Sequence, residues 1–194
     1  IPMMNIINGG KHANNDLDIQ EFMIMPTVKT FKERLRAGSE IFHTLKKILN
    51  DMGCSTGVGD EGGFAPNLKN NEEALELIVK AIKESGYTPG NDVFIALDVA
   101  SSEIYDANTN TYSIDGKKLN PTELTNYYIS LIEKYPIVSI EDAFMEDDFE
   151  SLAKLTSIIG SKIMLVGDDY FVTNKKFLQK GIDNHAGNAI LLKA

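Results

Sequence analysis

The stretch Val93-Phe94-Ile95-Ala96-Leu97-Asp98 is the clearest indication of the fold, because it is a short apolar run that ends in a charged residue. The same pattern recurs further along the chain, at residues 137–141, 163–168 and 189–193. Helical patterns separate these runs, at residues 120–132, 149–159 and 174–182. Near-continuous apolar strands that alternate with helices are typical of a parallel sheet covered on both faces.

These strands are predicted to belong to a β/α barrel, in which the C-terminal ends of the strands meet at one mouth. The charged residues fall at successive strand ends, whereas a doubly wound open sheet, the competing architecture, concentrates its site at one switch point. Residues 101–118 lengthen one interval and contain Asp115-Gly116, which predicts a hairpin flap. A complete barrel takes about 250 residues, so residues 1–194 are expected to be a partial barrel domain that lacks the final strands.

The first part of the chain predicts a different order, with two strands followed by two helices. The strands are expected at residues 2–7 and 19–25. Thr30 and Asn70 each have a glutamate three residues later, which is the pattern of a capped helix start. Because the chain opens on an apolar strand rather than a recognisable start, we expect it to be an internal piece of a longer protein.

The composition excludes some classes of partner. The formal net charge is -9 and 43% of the residues are hydrophobic. A nucleic-acid surface needs clustered Lys and Arg, so no nucleic-acid partner is expected, whereas acidic groups suit divalent cations. No apolar run approaches the roughly 20 residues that cross a bilayer, so we expect a soluble protein without a membrane span.

Three carboxylates at strand ends predict a metal site. Asp98, Glu141 and Asp168 each follow an apolar run, and their oxygens are the hard ligands that Mg²⁺ prefers. The alternative is that each acid only caps the next loop. Lys193 ends the last apolar run and is interpreted either as a lysine reaching solvent or as a base, with a pKa lowered by desolvation and a nearby metal.

The glycine-rich stretch 57–67 carries a second candidate. Asp60 and Glu61 lie among glycines without a cationic neighbour, and Glu61 is interpreted as an acid opposite the base Lys193. With metal ions to stabilise an enolate, this pair predicts a β-elimination. The stretch also matches G-x-G-x-x-G, but a helical pattern precedes it, which disfavours a dinucleotide site. His12 lies in a glycine-bounded loop, where substrate contact and simple exposure both remain open.

Several long blocks resemble the enolase family. They include Asn8-Gly9-Gly10-Lys11-His12-Ala13 and residues 17–23, 59–67, 96–103, 139–142 and 166–174, in the order found in the family. The resemblance implies an irregular barrel that opens ββαα before its βα units. It also implies the reversible dehydration of 2-phosphoglycerate to phosphoenolpyruvate in glycolysis, with Mg²⁺ as the cofactor. A base that works together with Mg²⁺ is already well known for the enolase superfamily and comes here from the resemblance.

The resemblance also implies the roles of individual residues. Asp98, Glu141 and Asp168 would hold the Mg²⁺, Lys193 would take the proton and Glu61 would assist loss of the hydroxyl. The implied substrate-binding residues are His12, Gln20, Glu21, Glu141 and Asp168.

Family members usually form homodimers in the cytoplasm, and a cell-surface or secreted secondary location with further binding partners is known among them. The family's amino-terminal domain and the phosphate-binding segment beyond Lys193 are not in this sequence, so the chain alone is expected to be inactive. The alternatives are a non-catalytic partner-binding protein on the same scaffold and a relative that acts on another carboxylate anion.

Overall fold

The computed structural model describes residues 1–193, which form a six-stranded sheet, a small three-stranded sheet and five α-helices. Short 3₁₀ helices follow β1 and β3, at Gly10–His12 and Ser101–Ile104. The strands and helices in chain order are β1 Met4–Asn8, β2 Glu21–Pro26, α1 Phe31–Asp51, α2 Asn71–Glu84, β3 Val93–Asp98, β4 Tyr105–Asp106, β5 Thr111–Ile114, β6 Lys117–Leu119, α3 Pro121–Lys134, β7 Ile137–Glu141, α4 Phe149–Ile159, β8 Met164–Gly167, α5 Lys175–Asp183 and β9 Ala189–Ile190.

The large sheet has the strand order β1-β2-β3-β7-β8-β9. Strands β1, β2 and β3 pair antiparallel, and β3, β7, β8 and β9 pair parallel. Among the described residues the sheet does not close, since β1 and β9 form its two edges. The predicted α/β fold, with ββαα before the βα units and a barrel that is incomplete, is therefore confirmed.

The helix starts confirm the local signals in the sequence. Thr30 accepts a hydrogen bond from the backbone of Glu33, whose side chain bonds back to the cap, and Asn120 forms the same capping box with α3. Phe31 and Leu35, two apolar residues in the first turns of helix α1, are 67% and 55% exposed. The buried face of α1 is formed by residues further along, Ala37, Gly38, Ile41, Leu45, Ile48 and Leu49.

Two segments differ from the predicted strands. The flap is a three-stranded antiparallel sheet, β4-β5-β6, and its tight turn has positive φ at Asp115 and Gly116, as a two-residue hairpin turn requires. Strand β9 covers only Ala189–Ile190, and Leu192, predicted to continue the strand, is 71% exposed. Since β9 pairs only with β8, no strand within the described residues pairs with the other side of this edge.

The helices are all short or polar. None of those within residues 1–193 combines the length and the apolar character that a membrane span needs.

Candidate active site

The strand register places three acids in one row at the end of the sheet. Glu21 at the start of β2 pairs with Asp98 at the end of β3, and Asp98 pairs with Glu141 at the end of β7. Asp98 and Glu141 are 8% and 5% exposed, and the side chain of Glu21 is 17% exposed. The antiparallel start of the barrel thus contributes an acid to the mouth formed by the parallel strands.

Burial makes this row electrostatically unfavourable. The pKa of Asp98 is raised to about 8 by burial first and then by the negative charges of Asp142 and Glu21. The pKa of Glu141 is raised to about 9, again by burial first and then by Asp98 and Asp142. Burial and neighbours of like charge therefore both favour the neutral forms of these carboxyls, and a bound cation would relieve the repulsion between them.

Asp142 organises the next part of the site, and the sequence did not predict its role. Its carboxylate accepts two backbone hydrogen bonds, from the N–H groups of Asp168 and Asp169, each at 3.0 Å. Asp142 is 4% exposed and has a φ of 46°, a left-handed conformation that Asp tolerates better than most residues. Burial raises its pKa to about 6, against the lowering effect of these hydrogen bonds.

Two groups of carboxylates lie close enough to share an ion. Ligand atoms of Asp98, Glu141 and Asp142 lie within 4.8 Å of one another, and so do those of Asp142, Asp168 and Asp169. The predicted ligands Asp98, Glu141 and Asp168 are thus divided between two groups that Asp142 joins. The donors are all carboxylate oxygens, the set that suits a hard divalent cation. Asp142 and Asp169 had a signal in the sequence, because each directly follows a predicted ligand.

Lys193 lacks the lowered pKa that desolvation was expected to produce. Its Nζ lies 2.6 Å from Oδ2 of Asp168, so the predicted base does reach the acidic mouth. Its pKa, however, is raised rather than lowered, chiefly by the hydrogen bond to Asp168. The physical reason is that its side chain is 68% exposed, beyond the edge strand β9, so desolvation is weak and the carboxylate stabilises the ammonium form.

A second cluster gathers His12, Glu21 and Glu61, whose ligand atoms lie within 4.8 Å of one another. Nδ1 of His12 is 3.1 Å from Oε1 of Glu21, and Glu61 is exposed. The pKa of Glu21 is raised overall, and burial is the main cause. His12 lowers this pKa and the negative charge of Glu61 raises it. The residue predicted as an acid from the glycine-rich stretch therefore lies beside two residues of the predicted substrate site.

The glycines of this stretch are explained by close contacts. A Cβ on Gly59 would lie 2.4 Å from the carbonyl oxygen of His12, and one on Gly63 would lie 2.7 Å from Oδ1 of Asn8. The N–H of Asp60 donates to the same His12 carbonyl at 3.2 Å. The stretch pairs with β1 instead of opening a helix, since α2 begins only at Asn71. This context is wrong for a dinucleotide site.

Gln20 belongs to none of these three groups of side chains. Its backbone N–H donates to the carbonyl oxygen of Asp98 at 3.1 Å, which fixes the entry to β2. It lines a cavity of about 380 Å³ between the His12 loop and the segment after β3, where Lys11 and Glu103 also lie. The structure therefore places Gln20 beside the mouth rather than among the acids.

The chain forms an incomplete α/β barrel, and its mouth contains buried acids, a lysine and two loop residues. It is therefore an enzyme-like barrel domain whose acids could hold a metal ion. A family model described as "Enolase, C-terminal TIM barrel domain" matches residues 1–194. The chain belongs to this family. Membership supports a lyase function of the enolase type in general.

Proposed function

We propose that residues 1–194 are part of the catalytic barrel domain of a Mg²⁺-dependent lyase that interconverts 2-phosphoglycerate and phosphoenolpyruvate plus water. The observation that carries the proposal is that Lys193 and Glu61 both reach acids of the mouth, Lys193 at Asp168 and Glu61 beside Glu21. A base and an acid that approach a common centre are what removal of a proton and of a hydroxyl from adjacent carbons requires.

Asp98, Glu141 and Asp168 would hold the Mg²⁺, with Asp142 close enough to assist. Bound there, Mg²⁺ supplies positive charge against which the substrate carboxylate can accept electron density. The raised pKa values of Asp98 and Glu141 support a cation at this position, because burial first and neighbouring carboxylates second disfavour their negative charges, and a bound cation would offset both effects.

Lys193 would take the proton from C2, leaving its electron pair to form the C2–C3 double bond. Glu61 would donate a proton to the departing C3 hydroxyl, which leaves as water, so that protons and electrons balance. Lys193 must first lose its own proton, and its hydrogen bond to Asp168 opposes that loss. His12, Gln20 and Glu21 would orient the substrate between these two groups.

Homodimer formation, a cytoplasmic location and a secondary surface role rest on the resemblance alone and are proposed on that basis. A metal-independent partner-binding protein differs from the lyase in one measurable respect. Mg²⁺ should raise the melting temperature of the lyase by mass action, whereas the binding protein needs no Mg²⁺.

The test uses the full-length protein and two variants with different losses. Lys193→Ala should abolish exchange of the C2 hydrogen of 2-phosphoglycerate into D₂O, measured by NMR, while the substrate still binds. Glu61→Gln should retain that exchange and lose net turnover, because only the second half of the reaction needs the acid. Lys162→Ala, an exposed lysine at the opposite end of β8, is the matched control and should behave as wild type. Exchange that persists in Lys193→Ala would exclude Lys193 as the base.

A further inference from the structure

A hydrogen-bond network outside the acidic mouth connects the flap to the loop that carries His12. Asp115 occupies the first position of the β5–β6 turn, with a φ of 48°. Its Oδ1 accepts from the backbone N–H and from Nδ2 of Asn71, both at 2.8 Å, and its Oδ2 accepts from the hydroxyl of Tyr127 at 2.7 Å. The carboxylate therefore joins the flap to the start of helix α2 and to the middle of α3.

Asn71 transmits this contact. It is fully buried, and its amide has one donor end and one acceptor end. Because Asp115 accepts from the NH₂ group, the oxygen Oδ1 must face the other way, where it accepts from the backbone N–H of Ile19 at 3.1 Å. A carboxylate at position 115 thus determines which end of the Asn71 amide meets the chain before β2.

A second bond runs from the flap to the same place. The backbone N–H of Asp115 donates to Oδ2 of Asp18 at 2.7 Å, across 97 residues of sequence. Asp18 and Ile19 are therefore both attached to the turn at Asp115, one directly and one through Asn71. Neither bond involves a group of the acidic mouth.

The attached segment leads directly into the candidate site. Gln20 and Glu21 follow Ile19, and the carbonyl oxygen of Gln20 accepts from the N–H of Gly9 at 3.0 Å, at the base of the His12 loop. The carbonyl of Leu17 accepts from Gly10 at 2.7 Å and closes that base. Any displacement of Ile19 would therefore move the loop and the first residues of β2 together.

We propose that Asp115 is a positioning residue, which orients the Asn71 amide and thereby fixes Ile19, Gln20, Glu21 and the His12 loop against the flap. It would contact neither substrate nor metal. The proposal deepens the proposed function, on which it rests for the identity of the substrate. The anchoring itself can be measured without any substrate.

The test uses the full-length protein with a pair of substitutions at one turn position. Asp115→Gly keeps a residue that favours positive φ and keeps the backbone N–H, but it removes the carboxylate. Asp115→Asn keeps an oxygen that can still accept from Asn71 and is the conservative rescue. Tyr127→Phe removes the other bond to Asp115, leaves both partners of the bond between Asp115 and Asn71 in place and is the matched control.

Hydrogen exchange of the Ile19 and Gln20 amides is the first measurement. We expect roughly tenfold faster exchange in Asp115→Gly, as the loss of about one hydrogen bond allows, and near wild-type exchange in Asp115→Asn and Tyr127→Phe. The KM for 2-phosphoglycerate should rise about fivefold to tenfold in Asp115→Gly, with kcat and the Mg²⁺ requirement nearly unchanged.

Unchanged exchange at Ile19 in Asp115→Gly would overturn the proposal, and so would acceleration spread evenly over the whole sheet, which would indicate only general destabilisation. If Asp115→Gly does not fold, Asn71→Ala removes the acceptor for the Ile19 N–H directly and carries the same expectations. A wild-type protein without turnover of 2-phosphoglycerate would refute the proposed function, whereas the exchange result would still test the anchoring.

Discussion

The acids of β3 and β7 and the lysine after β9 lie at the same mouth in opposite environments. Asp98 and Glu141 are almost fully buried in the middle of the sheet, whereas the side chain of Lys193 is 68% exposed beyond an edge strand of two residues. All of these residues end apolar runs of similar sequence. The difference indicates that the pKa of the charged residue at the end of a strand depends more on whether the strand is paired on both sides than on its apolar sequence. Of these three residues, only the two that end doubly paired strands have pKa values shifted towards the neutral form.

The largest expected effect is a fall in the stability of the metal-free protein with rising pH. The pKa values of Asp98 and Glu141 are raised to about 8 and about 9, so the folded protein keeps protons that the unfolded chain releases near its ordinary carboxyl pKa. The stabilisation is therefore complete below the unfolded pKa values and is lost as the pH rises through the folded ones. Urea unfolding in a chelator should show a loss of about 1.4 kcal/mol per pH unit for each such proton.

This pH dependence has its own control. The double variant Asp98→Asn, Glu141→Gln lacks both titrating groups and should lose most of the slope between about pH 5 and pH 8. If wild-type stability is constant or rises over that range, the raised pKa values of Asp98 and Glu141 are wrong, because the two acids would then be ionised in the folded protein at little cost.

The next effect concerns metal binding. Mg²⁺ at about 100 times its Kd should raise the free energy of unfolding of the wild type by about 2.7 kcal/mol. Glu141→Gln keeps the shape of the side chain and removes a carboxylate that could bind the metal ion, so most of this gain should disappear in thermal or urea unfolding. Glu150→Gln, an exposed acid on α4, is the control and should keep the gain. A gain that survives in Glu141→Gln would remove Glu141 from the metal centre.

The hydrogen bonds of Asp142 connect the two halves of the mouth and give the third prediction. In Asp142→Asn an NH₂ group must face one of the two N–H donors, so one bond is lost and a donor is left unpaired. We expect a loss of about 1–3 kcal/mol in the free energy of unfolding and faster exchange of the Asp168 and Asp169 amides. Asp147→Asn, an exposed neighbour, should change neither quantity.

How far the sequence could predict these features follows from how local they are. The capping boxes at Thr30 and Asn120 and the turn at Asp115 depend on neighbours within a few residues, and all of them were predictable. The bonds of Asp142 to the loop after β8 span 26 and 27 residues, and the bond of Asp115 to Asn71 spans 44 residues. These contacts depend on the packing of separate elements.

The pKa of Lys193 is a different case. The apolar run before it predicted a buried strand, and burial would have lowered the pKa. The pairing of β9 on one side only, and the exposure of Leu192 at 71%, are properties of the sheet edge that residues 189–193 do not encode by themselves. A prediction of a shifted base from such a run therefore needs the neighbouring strand as well.

The smallest expected effect concerns the ion pair between the His12 loop and the segment after β3. Lys11 pairs with Glu103, but the two side chains are 70% and 38% exposed, so water and salt screen the pair. Lys11→Ala should change the free energy of unfolding by less than about 0.5 kcal/mol and leave the exchange of the Ile19 amide unchanged. A loss above about 1 kcal/mol, or faster exchange at Ile19, would mean that the exposed ion pair shares the anchoring assigned to Asp115. The contrast with Asp115→Gly is informative because the two variants remove different supports of the same loop, an ion pair screened by solvent and a network that reaches the buried Asn71.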